Sequence, residues 1–230
     1  MTDLLSVKKV SKSFGDKKVV DSVSFSLSKG KIVGLLGKNG SGKTTILKMI
    51  NDLLTVDEGE ILICGEKVSP ITKAKVSFLP ERTYLNPTKT VKQTFDFFED
   101  FYSDFDRAKA EALLKDLDLD INSKLSKMSK GMKEKIQLVL VMSRHASLYV
   151  LDEPLGGVDP STRDYIMQTI LKNFGEDSAL LITTHLVSDV EKILDQVIFI
   201  DNGKIILDRN AEELREEQNA SIDEIFRRTV

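Results

Sequence analysis

The sequence has one cysteine, Cys64, so no disulfide can form within the chain. It contains no uninterrupted apolar stretch near the ~20 residues that a bilayer-crossing helix needs, which excludes a helical membrane span. The opening "MTDLLSVKKVSKSFG" holds no apolar core of the secretory-leader kind. Together these absences predict a protein of the reducing cytoplasm. An excess of one charge sign is also missing: 33 basic against 36 acidic residues leave a net charge of −3, so no global basic field draws nucleic acid, and none is expected as a partner. No internal repeat and no low-complexity linker is visible. At 230 residues the chain is long enough to bury a substantial core.

What is present is strongly patterned. In "VSFSLSKGKIVGLLG" the apolar residues Val23, Phe25 and Leu27 alternate up to a Lys29-Gly30 turn, after which the pattern becomes continuously apolar, as in a buried strand. "GEILICGEKV" reads as a second turn-bounded strand pair. From about Thr90 to Arg144 the chain is charged and lacks proline, and Val91, Phe95, Phe98 and either Phe101 or Tyr102 fall at helical spacing, which predicts a helical insert. Apolar "LYVL" and "ALLIT" then alternate with helical stretches, as in a parallel sheet covered by helices. Asp159-Pro160 supplies a helix cap with proline at the first position, and Gly175 stands where that helix could end. "QVIFIDNGKIILD" reads as a hairpin around Asn202-Gly203, followed by two polar helical segments.

The strongest chemical signal is "GLLGKNGSGKTT". Gly37 is followed by Lys38, Asn39, Gly40 and Ser41, then by Gly42-Lys43-Thr44-Thr45, directly after a buried-strand pattern and before a helical one. That is the context of a phosphate loop, in which glycines let backbone N–H groups curl around phosphate oxygens at a helix N-terminus. Lys43 is placed to reach the terminal phosphates and Thr44 to hold Mg²⁺. "SLYVLDEP" ends an apolar strand in Asp152-Glu153, where a carboxylate needs a cation or hydrogen bonds to receive it. Asp152 suits the Mg²⁺ shell, and Glu153 suits polarisation of a water for attack on a γ-phosphate; a helix cap or solvated turn is the alternative for each. "ALLITTHL" places His185 past another strand end, as a γ-phosphate sensor or a structural histidine. His145 has no such position and reads as a surface or packing residue.

In this order the motifs resemble the nucleotide-binding subunit of an ATP-binding cassette transporter, over nearly the whole chain. The resemblance implies an α/β fold: a P-loop NTPase core with a mixed or parallel sheet (1–81 and 147–230), an N-terminal antiparallel β subdomain and an inserted α-helical subdomain (82–146). It implies ATP and Mg²⁺ as cofactors. "KMSKGMKEK" (127–135), otherwise a lysine-rich helix start, then stands at the family's signature: Ser129 and Gly131 would contact ATP held by a second subunit, with Lys130 and Met132 departing from the usual glycine and glutamine. Phe14 would stack on adenine, Asp159 would belong to the loop crossing the dimer interface, and Glu81 would replace a glutamine that touches Mg²⁺ and faces the membrane partner.

The implied partners are a transmembrane permease and a second nucleotide-binding subunit, identical or paralogous, which would hold the chain on the inner face of the cell membrane. Docking is expected near Arg82, Tyr84 and the phenylalanine-rich segment, although Phe95 and Phe98 fit a core role. Glu81 and "SKGM" resemble a group of small bacterial exporter ATPases. The competing functions are a soluble cassette ATPase acting on DNA or ribosomes, and a non-hydrolysing regulatory nucleotide-binding module.

Overall fold

A computed structural model describes residues 3–230. The chain runs through β1 (Asp3–Phe14), β2 (Lys17–Ser28), β3 (Ile32–Leu36), α1 (Lys43–Ile50), β4 (Glu58–Ile63), β5 (Glu66–Lys67), α2 (Pro70–Ala74) and β6 (Val76–Leu79). The proline-free middle forms α3 (Val91–Phe101), α4 (Arg107–Asp116) and α5 (Lys130–Met142). The last part alternates again, through β7 (Leu148–Asp152), α6 (Pro160–Asn173), β8 (Ala179–Thr184), α7 (Val187–Val190), β9 (Gln196–Asp201), β10 (Lys204–Asn210), α8 (Ala211–Gln218) and α9 (Ile222–Thr229).

These elements make the expected α/β fold. An antiparallel sheet of order β2-β1-β4-β5 packs on a mixed sheet of order β10-β9-β3-β8-β7-β6, parallel except at its β9–β10 hairpin. The continuous apolar runs "IVGLL", "LYVLD" and "ALLITT" are buried at every position because both faces of the mixed sheet are covered. Their side chains alternate between two cores. Val33, Leu35, Val150 and Leu181 point to the core shared with the antiparallel sheet and α1, whereas Leu36, Leu151, Ile182 and Phe199 point to the core beneath α6 and α9.

The insert has a third core, centred on Val91, Phe95, Phe105, Leu125 and Ile136. Thr90 and Gln93 form a reciprocal capping box that starts α3. Tyr102, not Phe101, completes the apolar face: Tyr102 packs against the core and Phe101 is 68% exposed. Phe95 is fully buried, and its truncation to alanine would cost about 3–5 kcal/mol. α5 belongs to two cores at once, placing Ile136, Val139 and Leu140 in the insert and Leu138, Val141 and Met142 under the sheet. A buried Arg144 follows it, donating to both oxygens of Asp104 (2.9 and 3.0 Å) and to Val76 O (2.7 Å), with its guanidinium 3.9 Å from the Tyr102 ring centre. The insert is thereby pinned to the start of β6.

One local expectation holds and one needs correction. α6 ends where Gly175 stands, as expected: Asn173 is its last residue, Phe174 turns extended (φ −81°, ψ 128°), and the Gly175 carbonyl just beyond accepts from Ser178 N and Oγ. The final helix is not wholly polar, since α9 buries Ile222, Ile225 and Phe226, the last edge-on to Phe199 with ring centres 5.3 Å apart.

Candidate phosphate-binding and hydrolytic site

Sheet register assembles the site. Leu36 pairs with Thr184, Thr183 with Asp152, and Leu79 with Leu151, so the carboxyl ends of β3, β8, β7 and β6 lie in one row. The residues just beyond them, Gly37, His185, Glu153 and Glu81, are delivered to one edge although up to about 150 positions separate them in sequence. A cavity of about 930 Å³ opens there, lined by Asn39, Gly40, Gly42, Lys43, Thr44, Thr45, Glu81, Lys130, Glu153 and His185.

The loop between β3 and α1 is shaped by backbone that only glycine accepts easily. Gly42 has φ 110°, and a Cβ there would stand 2.9 Å from Val19 O. Gly42 is also the N-cap of α1, so no side chain caps the helix and its first-turn N–H groups stay available to an anion. Lys43 is buried and folds back, its Nζ donating to Gly37 O (2.7 Å) and Lys38 O (3.2 Å). Ser41 Oγ is buried with no hydrogen-bond partner among the described residues. Donors are concentrated here, with Lys43 held by main-chain carbonyls that an anion could replace and Ser41 Oγ unpaired among the described residues, as suits a polyphosphate.

Facing the loop is a carboxylate held under strain. Glu153 has φ 48°, a left-handed conformation that costs about 1–3 kcal/mol in a residue with a side chain. Its N–H is anchored to Thr183 O (3.0 Å) and Thr183 Oγ1 (3.2 Å). Its Oε2 accepts from His185 N (3.3 Å) and lies 2.9 Å from His185 Nδ1. Its Oε1 is buried, has no hydrogen-bond partner among the described residues, and forms an ion pair with Lys43 Nζ at 3.5 Å. One oxygen is thus fixed and the other is free to accept a proton.

Asp152 is 2% exposed and accepts from Thr183 Oγ1 at 2.7 Å, with Thr44 Oγ1 at 3.4 Å. Burial pushes its carboxyl above the usual range; the Thr183 and Thr44 hydroxyls oppose that, and the charges of Glu153 and Glu81 add to it. A cation would relieve this frustrated carboxylate. Among the described residues no three His, Cys, Asp or Glu side chains form a metal cage. Mg²⁺ suits such a donor set, because it takes one or two protein ligands and completes its shell with phosphate oxygens and water. Thr44 and Asp152, with Glu81 on the cavity wall, fit that part.

The stretch "MSKGM" starts α5. Ser129 is its N-cap, accepting from Met132 N at 3.2 Å, so the lysine-rich helix start is real. Within one chain Lys130 reaches the cavity wall, but Ser129 and Gly131 do not line it; a Cβ on Gly131 would meet Thr162 and Asp159 instead. Asp159 caps α6 through Thr162 N (3.0 Å), and its hydrogen bonds from Ser161 and Thr162 hold its carboxyl well below the usual range. Phe14 is half exposed outside the cavity, with Lys12 Nζ 5.8 Å from its ring centre. His145 is exposed and pairs with Asp106 at 3.4 Å. Tyr84 is partly exposed and stacks toward Phe98, while Phe97 and Phe101 are exposed and stack on each other. Sequence reasoning missed Thr183, which holds both Asp152 and Glu153; the only sign was its place in "TTH" next to a strand end. It also missed Lys133, Glu134 and Val19 on the cavity wall.

Residues 20–156 match the family described as "ABC transporter". The chain is 31% identical over 217 residues to the ABC transporter ATP-binding protein YtrB of Bacillus subtilis, covering 93% of this chain and 74% of that protein. It is 34% identical over 208 residues to a Nod factor export ATP-binding protein I of Burkholderia lata (86% and 68% covered), and 31% identical over 211 residues to the linearmycin resistance ATP-binding protein LnrL of Bacillus subtilis (88% and 68%). Among solved structures, an ATP-binding subunit of an ABC transporter superposes with a TM-score of 0.89 at 26% identity, over 98% of this chain and 99% of that one.

Proposed function

The chain belongs to the ABC transporter family, and from that premise we propose that it is the ATP-hydrolysing subunit of a transporter whose membrane-spanning part is a separate permease. Among the described residues no helix is long and apolar enough to cross a membrane. The observation that carries the catalytic reading is Glu153, with one oxygen held by His185 and the other free beside Lys43.

The loop N–H groups and Lys43 bind the β- and γ-phosphates, whose oxygens replace the Gly37 and Lys38 carbonyls as partners of Nζ. Thr44, Asp152 and Glu81 hold Mg²⁺, which neutralises charge on those phosphates when bound. Glu153 Oε1 takes a proton from water as its oxygen bonds to the γ-phosphorus and the bond to the β-phosphate bridge breaks, leaving ADP and phosphate. His185 keeps the carboxylate aimed, and its exposed side chain is at hand for the γ-phosphate. Phe14 stacks on adenine. Ser129, Lys130 and Gly131 complete the site of a second subunit, with Asp159 at the crossing between them. The names of relatives concerned with Nod factor export and linearmycin resistance support an exporter, attached at the inner membrane face through its permease.

Thermal denaturation with and without MgATP, paired with phosphate release, tests this. MgATP is expected to raise the Tm of the wild type and phosphate to appear catalytically, with both lost in Lys43→Ala. A Tm shift without phosphate release would favour the non-hydrolysing module instead.

A further inference from the structure

A second, much smaller cavity lies between α5 and the end of β7, with a volume of about 20 Å³. That exceeds the roughly 10–15 Å³ needed for one water and leaves room for little else. Gln137 and Glu134 contribute to its wall from α5, three residues apart and therefore on one helix face. Glu81, Asp152 and Glu153 contribute from the strand ends. Gln137 is 3% exposed, and its Oε1 has no hydrogen-bond partner among the described residues; Glu134 Oε2 is buried and unpartnered in the same sense. A buried amide oxygen and a buried carboxylate oxygen left without donors are each costly, and the polar wall between them is otherwise carboxylate. Burial pushes the Glu134 carboxyl above its usual range against the opposing pull of Lys130, whose Nζ lies 3.6 Å from Oε1 and leaves Oε2 without a donor. What fits is a molecule with two donor hydrogens and no bulk.

We propose that this cavity binds one structural water that donates to Gln137 Oε1 and Glu134 Oε2 and ties α5 to the strand end carrying Glu153. No three carboxylate, cysteine or histidine groups among the described residues are placed for a metal, and the space suits a lone water rather than a hydrated ion. Gln137 then acts as a positioning residue. α5 begins inside "MSKGM", and Gly156 N donates to Glu153 O (3.0 Å) on the cavity's far wall. A rigid link from α5 to this turn transmits the placement of the helix start to the base. That functional step rests on the hydrolytic role proposed above; the water site does not.

The test is a crystal structure of the full chain at a resolution that shows ordered water, for wild type and for the near-isosteric Gln137→Met, with steady-state ATP hydrolysis by both. In the wild type a water is expected within about 3.2 Å of both oxygens. In Gln137→Met it is expected to be gone, with kcat lower by roughly 3- to 10-fold and the KM for ATP within about twofold. An empty cavity in the wild type, or a Gln137 amide turned to donate directly to a carboxylate with no water, would overturn the site. A water present in the wild type with unchanged kcat in Gln137→Met would overturn the positioning role. If neither protein hydrolyses ATP, the hydrolytic reading fails, while the electron density still decides the water.

Discussion

His185 Nδ1 lies 2.9 Å from Glu153 Oε2, and the main-chain N–H of the same histidine points at the same oxygen from 3.3 Å. A carboxylate forced into a left-handed backbone conformation is thereby fixed from both ends, by Thr183 at its N–H and by His185 at its side chain. The free oxygen is the one beside Lys43. A carboxylate held in this way would, in the proposed role of base, lose no orientational freedom when water arrives.

His185→Ala removes the side-chain hold and leaves the main-chain one. Turnover is expected to fall by about 10- to 10²-fold with little change in ATP binding. Steady-state kinetics beside a binding titration check this; an unchanged kcat would return His185 to a purely structural role.

Thr183→Val deletes the hydroxyl that donates to Asp152 Oδ1 at 2.7 Å without changing side-chain shape. The protein is expected to lose about 1–3 kcal/mol of stability in denaturant unfolding. Because that hydrogen bond lowers the Asp152 carboxyl against the upward push of burial, its loss lets the carboxyl rise further. Protons then compete better with Mg²⁺, so the variant should need more Mg²⁺ than wild type, and the gap should widen as pH falls. A Mg²⁺ requirement equal to wild type at every pH would contradict the placement of Asp152 in the metal shell.

Asp159 has a depressed carboxyl because Ser161 and Thr162 donate to it. A folded-state value below the unfolded one means its stabilisation is complete above the ordinary carboxylate range and is lost as pH falls toward the depressed value. The Tm difference between wild type and Asp159→Ala should therefore be constant from neutral pH down to about pH 5 and shrink on further acidification. A difference that grows on acidification would have the wrong sign.

The motif-borne parts of the candidate site were legible as positions because each is local: the glycine-rich loop, the Asp152-Glu153 pair and His185 lie within a few residues of a strand end, and the structure brings the loop, Glu153 and His185 to one cavity. The apolar alternation likewise marked the strands and the insert. Sheet order was not legible, since nothing in "ALLITT" says that it lies between β3 and β7. Nor were Thr183 as the holder of Asp152, Arg144 as the pin of the insert, or Gln137 facing the strand end. Their partners are 31, 40 and about 15 positions away and are joined only by register and packing. Gly175 did mark the end of α6, although it is the extended Phe174 before it that stops the helix.

The role of "MSKGM" is testable by complementation. Lys43→Ala and Ser129→Arg should each be inactive alone, while a mixture should recover up to about a quarter of wild-type activity, since about half the dimers carry one intact composite site. Lys43→Ala and Ser129→Arg combined in one chain should give wild type no active mixed dimer, as both composite sites are damaged. Activity there equal to that of wild type mixed with Lys43→Ala alone would leave the stretch as a helix start only.

The most direct test is the turnover of Glu153→Gln, which keeps the size and the hold of His185 but removes the base. ATP hydrolysis is expected to fall by roughly 10²-fold or more, while the Tm rise caused by MgATP persists. Turnover near the wild-type rate, with ATP binding intact, would contradict the assignment of Glu153 as the group that takes the proton from water.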